Sequence, residues 1–353
     1  MYSGPSRTPV PTNIPECLIV NNHLCEYQHF SKKILREQKF ILPKNDFFVI
    51  LKQKNKIRSG SHENFFNFKK GMVIIMKQKL NIIHSEISIG LEAPVRFLHI
   101  TDTHITRGDP SGRTRRYEVF NKYYENCAED YFLQAVAYAK ENNMPILHTG
   151  DMVDFLSEPN FDFLDEHFRD LDYMYAAGNH DFCHWVGRAK EDYAYKWEKI
   201  QQIAPHIKSN LYFDSRIIGG VNFVTLDDSY YLISDGQIEM LKAEAAKGYP
   251  IILAMHVPLY TEALAALTMK NNPCSYLTGA PDELLATYPE DRRLQQTPDA
   301  STRRAVEYIR NEPMIKAIVA GHTHLNFDEM TDGKPQFVTD GSYEGEVREF
   351  IVR

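Results

Sequence analysis

Apolar and polar positions along this chain fall into two alternating kinds of stretch. Five short apolar runs, at residues 95–100, 145–147, 172–177, 250–255 and 314–320, have the length and the β-branched or aromatic content of buried strands. Between them the spacing turns helical. In residues 121–142, Tyr124, Cys127, Tyr131, Ala135 and Tyr138 recur every three or four positions. Further helices are expected at 160–169, 187–203, 235–247 (with Gly248 as a stop signal) and 300–311. Alternation from Ile83 marks a strand within 80–89, and strands around Gly219-Gly220 suggest a hairpin. Residues 336–339 and 347–352 close the chain as strands. The order strand, loop, helix, strand predicts a largely parallel sheet, which gathers its ligands beyond the carboxyl ends of the strands.

Two regions depart from this pattern. Residues 268–298 mix Pro, Gly, Asn and charges with Tyr276, Tyr288, Arg292 and Arg293, as expected of a long loop that closes over a site. Residues 1–75 have no helical or strand period, as in Lys52-Gln53-Lys54-Asn55-Lys56, and are expected to be a disordered or loosely packed basic segment. Met72 and Met76 are candidate starts of the domain proper, taken as 76–353. No repeat or linker interrupts the chain after residue 80.

Charge sharpens that division. Residues 1–80 hold 14 Lys+Arg against 5 Asp+Glu, and residues 81–353 hold 26 against 42, within a net charge of −7. Long nucleic acid is therefore not the expected partner of the larger part. Five cysteines, with no Cys-x-x-Cys spacing, read as buried thiols in a reducing compartment, the cytoplasm. No run of about 18 apolar residues offers a membrane span, and residues 1–15 lack the apolar core of a secretory signal.

The five runs all lead into chemistry. After them come Asp102-Thr103-His104, Gly150-Asp151-Met152-Val153-Asp154, Gly178-Asn179-His180-Asp181, His256 with Pro258 close behind, and Gly321-His322-Thr323-His324. Carboxylate, imidazole and amide oxygen in such numbers suit divalent metals near phosphate. The glycines let the backbone turn sharply off a strand and leave room beside a metal. His99 and His148 each stand three residues before a motif Asp. Strand alternation points them away from it, so both are expected in the core. Tyr230 and Tyr231 are expected to pack as aromatics. The loop arginines 107, 113, 115 and 116 are solvated charges that can also grip a phosphate.

In their order, the five motifs resemble those of the calcineurin-like metallophosphoesterases, over roughly residues 80–353 with no motif missing. The resemblance implies an α/β fold, a four-layer αββα sandwich of two β-sheets flanked by helices, with a two-metal centre at a sheet edge. It implies one divalent ion (Mn, Fe or Zn) held by Asp102, His104, Asp151 and His324, and a second held by Asp151, Asn179, His256 and His322. Asp151 is then the bridge, a role that suits an anion with two oxygens. The implied reaction is hydrolysis of a small phosphate ester by a metal-bound hydroxide, with His180 as the acid that protonates the leaving oxygen. Asp154 is the implied partner that orients His180, and Asp181 is the other candidate. The Gly-Asn-His-Asp and Gly-His-Thr-His forms look like the branch that includes cyclic-nucleotide phosphodiesterases. A phosphodiester is thus favoured over a monoester. The rival readings are a nuclease of the same fold and a non-catalytic scaffold derived from it.

Overall fold

Phe97, in the first apolar run, packs its ring against residues from two different sheets. It stacks on Phe350 at 4.8 Å between centroids and meets Phe223 edge-on at 5.1 Å. The computed structural model describes residues 79–107, 127–183 and 193–353, and gives the backbone course of two further strands. Those are β1 (Phe48–Leu51) and β2 (Val73–Met76), an antiparallel pair hydrogen-bonded to neither large sheet.

The first large sheet has the order β3-β13-β4-β5-β6. Its strands are β3 (Asn81–Ile87), β4 (Val95–Ile100), β5 (Ile146–His148), β6 (Tyr173–Tyr175) and β13 (Glu346–Val352). Strands β4, β5 and β6 run parallel, β13 is antiparallel to β4, and β3 is parallel to β13. The second sheet has the order β11-β12-β10-β9-β8-β7. It comprises β7 (Phe213–Ile218), β8 (Val221–Leu226), β9 (Ile251–Ala254), β10 (Ile315–Ala320), β11 (Phe327–Thr331) and β12 (Lys334–Val338). Strands β8, β9, β10 and β12 are parallel, and the edge strands β7 and β11 are antiparallel.

Strand alternation builds the layers. Phe97, Leu147 and Phe350 from one sheet face Phe223, Ile252, Ala317 and Val319 from the other in a shared core. Leu98, Ile100 and Ile146 turn outward, onto α1 (Ala128–Glu141) and α2 (Glu158–His167). Leu253 and Ile318 turn the opposite way, onto α4 (Asp235–Ala245) and α8 (Ala300–Asn311). The outcome is a sandwich of two mixed sheets flanked by helices. The expectation of one parallel sheet holding all five motifs is corrected. Three motif strands lie in the first sheet and two in the second, a partition that no strand's own pattern encodes.

Local signals match the helix ends. Ser157, Ser234, Thr261 and Asp299 cap the helices that follow them, Ser234 through a capping box with Gln237. Gly219 and Gly220 sit at φ 57° and 86° in the two-residue β7–β8 turn, the conformation such hairpins need. The helix α3 (Tyr193–Ile203) falls inside the expected 187–203, whose first residues lie outside the described ones, as do residues 121–126 ahead of α1.

Residues 268–298 are not a patternless loop. After α5 (Glu262–Thr268) the chain forms α6 (Asp282–Leu285) and α7 (Glu290–Gln296), and it buries Cys274, Leu277, Ala280, Leu285 and Tyr288. Helices of four and seven residues are too short for a period to declare itself. The strand β11, Phe-Asp-Glu-Met-Thr, was likewise not expected, because it is a largely polar edge strand. No helix among the described residues is long and apolar enough to cross a membrane.

Candidate metal centre

Strained backbone marks the site. Nine described residues other than glycine have φ between 49° and 67°, and five of them are Asp102, His104, Asp151, His322 and His324. Left-handed backbone is costly for such residues and persists only where the surroundings enforce it. Here the enforcement is close packing at the strand ends. A Cβ on Gly178 would lie 2.2 Å from Asp151 Oδ1, and one on Gly321 would lie 2.4 Å from Asp102 Oδ2 and 1.9 Å from Thr101 Oγ1. The motif glycines are therefore the space that the carboxylates occupy.

The side chains converge from both sheets. His104 Nε2 lies 3.1 Å from His324 Nε2, which is 3.2 Å from Asp102 Oδ1. His256 Nε2 lies 3.3 Å from Asp151 Oδ2, 3.2 Å from Asn179 Oδ1 and 3.1 Å from His322 Nδ1. Asp151 Oδ2 stands between these groups, 3.9 Å from both His104 Nε2 and His180 Nε2. Among the described residues, three sets of donor atoms each fall within 4.8 Å of one another and could hold a metal ion: Asp102, His104 and His324; His104, Asp151 and His180; Asp151, His256 and His322. Sequence reasoning gave His180 no place in such a set.

The opposite nitrogen of each histidine is engaged elsewhere. His256 Nδ1 lies 2.6 Å from the Thr149 carbonyl, and His104 Nδ1 lies 3.5 Å from Asp154 Oδ1. His322 Nε2 meets the Tyr231 hydroxyl at 3.0 Å, and His324 Nδ1 meets the Tyr343 hydroxyl at 3.1 Å. Imidazoles held by one nitrogen, with the other turned into a common space beside two carboxylates, suit a pair of divalent cations. The residues present fit the group that the motifs imply.

Electrostatics follow from the crowding. Burial alone would lower the His256 pKa, but the Asp151 carboxylate outweighs it and pushes it up to about 10. For His104, burial is likewise outweighed, by the neighbouring Asp102, Asp154 and Asp151 carboxylates, and its pKa also rises to about 10. Burial and the neighbouring His256 push His322 down to about 3. Burial would raise Asp154, but the nearby His104 ring and the hydrogen bond to His180 hold it well below the carboxylate range.

His180 pairs with Asp154, not Asp181. Its Nδ1 lies 2.9 Å from Asp154 Oδ1, and its backbone N–H donates to Asp151 Oδ1 at 2.8 Å. Asp181, expected as the alternative partner, is committed to backbone. It accepts from the N–H groups of Gly178 (2.8 Å), Met152 (3.0 Å) and Asp151 (3.1 Å), and from the Tyr175 hydroxyl (2.5 Å). It ties the loop after β5 to the loop after β6. Asp228 has the matching position in the second sheet, accepting from the N–H groups of His256 and Val257 and from Thr278 Oγ1. Asp228 belongs to none of the five motifs, so no sequence signal singles it out.

His99 and His148 are core residues, as expected. His99 bridges Thr339 Oγ1 and Thr149 Oγ1 (2.9 and 2.8 Å), and His148 Nε2 meets Thr103 Oγ1 at 2.9 Å. Burial lowers the pKa of both. Tyr231 departs from simple packing by reaching His322. Arg107 is engaged with Glu129 at 2.9 Å, and arginines 113, 115 and 116 lie outside the described residues. From residues 268–298, Tyr276 sets its ring edge-on to His322 at 6.1 Å with the Arg292 guanidinium 5.7 Å from it, whereas Tyr288 turns inward to Ser275.

A two-sheet α/β sandwich with Asp, Asn and His gathered at its strand ends defines a metallophosphoesterase fold. The family model for calcineurin-like phosphoesterases matches residues 95–326, over half of the sequence, and the chain belongs to that family. Among solved structures it is similar to a dimetal phosphatase from Danio rerio, at 14% identity and TM-score 0.41, covering 71% of this chain and 88% of that one. It is also similar to a phosphopantetheinyl hydrolase from Mycobacterium tuberculosis, at 11% identity and TM-score 0.38, covering 73% and 91%. No protein with a curated description matches the sequence.

Proposed function

We propose that this protein hydrolyses a small phosphate ester at a dinuclear metal centre, a phosphodiester (cyclic nucleotides included) in preference to a monoester. The observation that carries the reading is the convergence of seven donors from two sheets, with each histidine's opposite nitrogen already engaged. One cation would take Asp102, His104, Asp151 and His324; the other would take Asp151, Asn179, His256 and His322. When bound, two cations of the Mn, Fe or Zn type supply Lewis acidity that neutralises phosphate charge and lowers the pKa of a water.

The chain's own groups would do the remaining work. His180 presents Nε2 to the centre with its side chain 13% exposed, so the ring reaches substrate without being loose in solvent. It holds at Nε2 the proton that the leaving oxygen needs. Asp154, fully buried, fixes the ring through Nδ1 and so aims Nε2 at the centre. The hydrogen bond from His180 N–H to Asp151 Oδ1 sets this acid at a constant distance from the bridging carboxylate. Cys127, Cys183 and Cys274 are buried thiols, which supports a reducing compartment, the cytoplasm, as the place of action.

The test is elemental analysis of purified protein, then an assay of phosphomonoesters, small phosphodiesters and single-stranded DNA with Mn, Fe or Zn added. The expected result is two bound ions and hydrolysis of a small diester that chelation abolishes. Activity in protein without metal would overturn the reading. Bound metal with no hydrolysis would make the protein a scaffold, and preference for DNA would make it a nuclease.

A further inference from the structure

The four histidines at the centre are held from behind in two different ways. His256 leans on a backbone carbonyl and His104 on a carboxylate, groups that only accept. His322 and His324, the pair from Gly321-His322-Thr323-His324, lean on the phenol hydroxyls of Tyr231 and Tyr343. Two features show that these contacts are built in. Tyr231 has φ 62°, a strained conformation for an aromatic residue, at the end of a turn closed by its N–H to the Asp228 carbonyl at 2.7 Å. Asp228 in turn holds the backbone of His256. For Tyr343, the ring fills space that only glycine leaves open, since a Cβ on Gly341 would lie 2.3 Å from it. The Ser342 and Tyr343 N–H groups also donate to the carbonyls of Thr101 and Asp102, so the ring is locked to the first motif.

The two tyrosines serve different ligand sets. Tyr343 stands behind His324, beside Asp102 and His104; Tyr231 stands behind His322, beside His256. The geometry points to Tyr343 and Tyr231 as positioning residues, each dedicated to one of the two cations. This inference rests on the dinuclear reading above. An imidazole that gives Nε2 to a cation carries its proton on Nδ1, as His324 would, and that N–H donates to the Tyr343 oxygen. His322, giving Nδ1, donates its Nε2–H to the Tyr231 oxygen. Each phenol thus fixes the tautomer and the aim of one ring, and removing its oxygen leaves a buried N–H without that acceptor.

The experiment is calorimetric titration of metal-free protein with Mn²⁺, in wild type, Tyr343→Phe and Tyr231→Phe. Phenylalanine keeps the ring and deletes only the hydroxyl, and the melting temperature of each metal-free variant checks that the fold survives. Wild type is expected to bind two ions. Each single variant is expected to weaken one ion by about 10–100-fold and spare the other. Against a His324→Ala background, Tyr343→Phe should add nothing, whereas it should keep its effect against His322→Ala; Tyr231→Phe should behave in the opposite sense. A merely structural tyrosine would act equally in both backgrounds, and that result overturns the inference. So does wild-type Mn²⁺ affinity at both ions in the single variants. Wild-type protein that binds no Mn²⁺ would instead sink the dinuclear reading, and the tyrosine roles with it.

Discussion

The two halves of the centre are anchored by the same device and legible to different degrees. Strands β4, β5 and β6 deliver Asp102, His104, Asp151, Asn179 and His180, and Asp181 locks their loops by accepting N–H groups from two of them. Strands β9 and β10 deliver His256, His322 and His324, and Asp228 locks the backbone at His256. Each anchor is a fully buried carboxylate that faces amides rather than the metal space. One lies inside a motif, where the resemblance offers it only as the second candidate to orient His180; the other lies outside every motif. A carboxylate in a motif can therefore hold the loop while its neighbour does the chemistry. Only the hydrogen-bond partners separate the two roles.

The largest expected effect tests what joins the halves. Asp151→Asn should lose both metal ions and bring turnover to background, measured by elemental analysis and a diester assay. Full retention of one ion would mean that Asp151 does not bridge. Next is His180→Ala, which should keep both ions and slow an alkyl diester by about 10²–10⁴-fold. A nitrophenyl diester, whose leaving group needs no proton, should suffer far less. Equal losses would remove His180 from the acid's role.

Asp181→Asn sharpens the contrast between anchor and actor. An amide presents an NH₂ group to the N–H donors of Asp151, Met152 and Gly178, so the variant should lose about 1–3 kcal/mol of stability in a denaturant melt. Its activity should fall by a similar factor on good and poor leaving groups. A loss confined to poor leaving groups would show that Asp181 acts through His180 after all.

Two smaller effects concern the regions outside the motifs. Because residues 268–298 pack into the fold, a point change is the cleaner probe of the wall beside His322. Tyr276→Ala should raise KM for a natural substrate by about 5–150-fold, the equivalent of the roughly 1–3 kcal/mol of a lost base–aromatic stack if the substrate carries a base. A small generic diester should barely respond, and identical KM shifts for both would rule out a specificity role. The smallest effect is expected from the amino-terminal segment, which we propose lies outside the catalytic domain. A chain starting at Met76 breaks the β1–β2 pair but neither large sheet, and should keep melting temperature and turnover. Loss of either would make residues 1–75 part of the fold.

The sequence alone determined the five motif strands, the loops after them and the chemistry those loops carry. A buried strand needs an apolar run, and a sharp turn beside a carboxylate needs glycine, so both are written locally at Val95–Ile100, Gly150, Gly178 and Gly321. It also separated His99 and His148 from the site, since alternation is a property of one strand. The tertiary structure decided everything that depends on which strands become neighbours. It split the five motif strands between two sheets and chose Asp154 over Asp181 for His180. It brought Tyr231 and Tyr343 behind His322 and His324, across 91 and 19 residues of chain. Those contacts form between segments with no shared period, so packing of the two sheets against Phe97, Phe223 and Phe350 sets them, and no local pattern announces them.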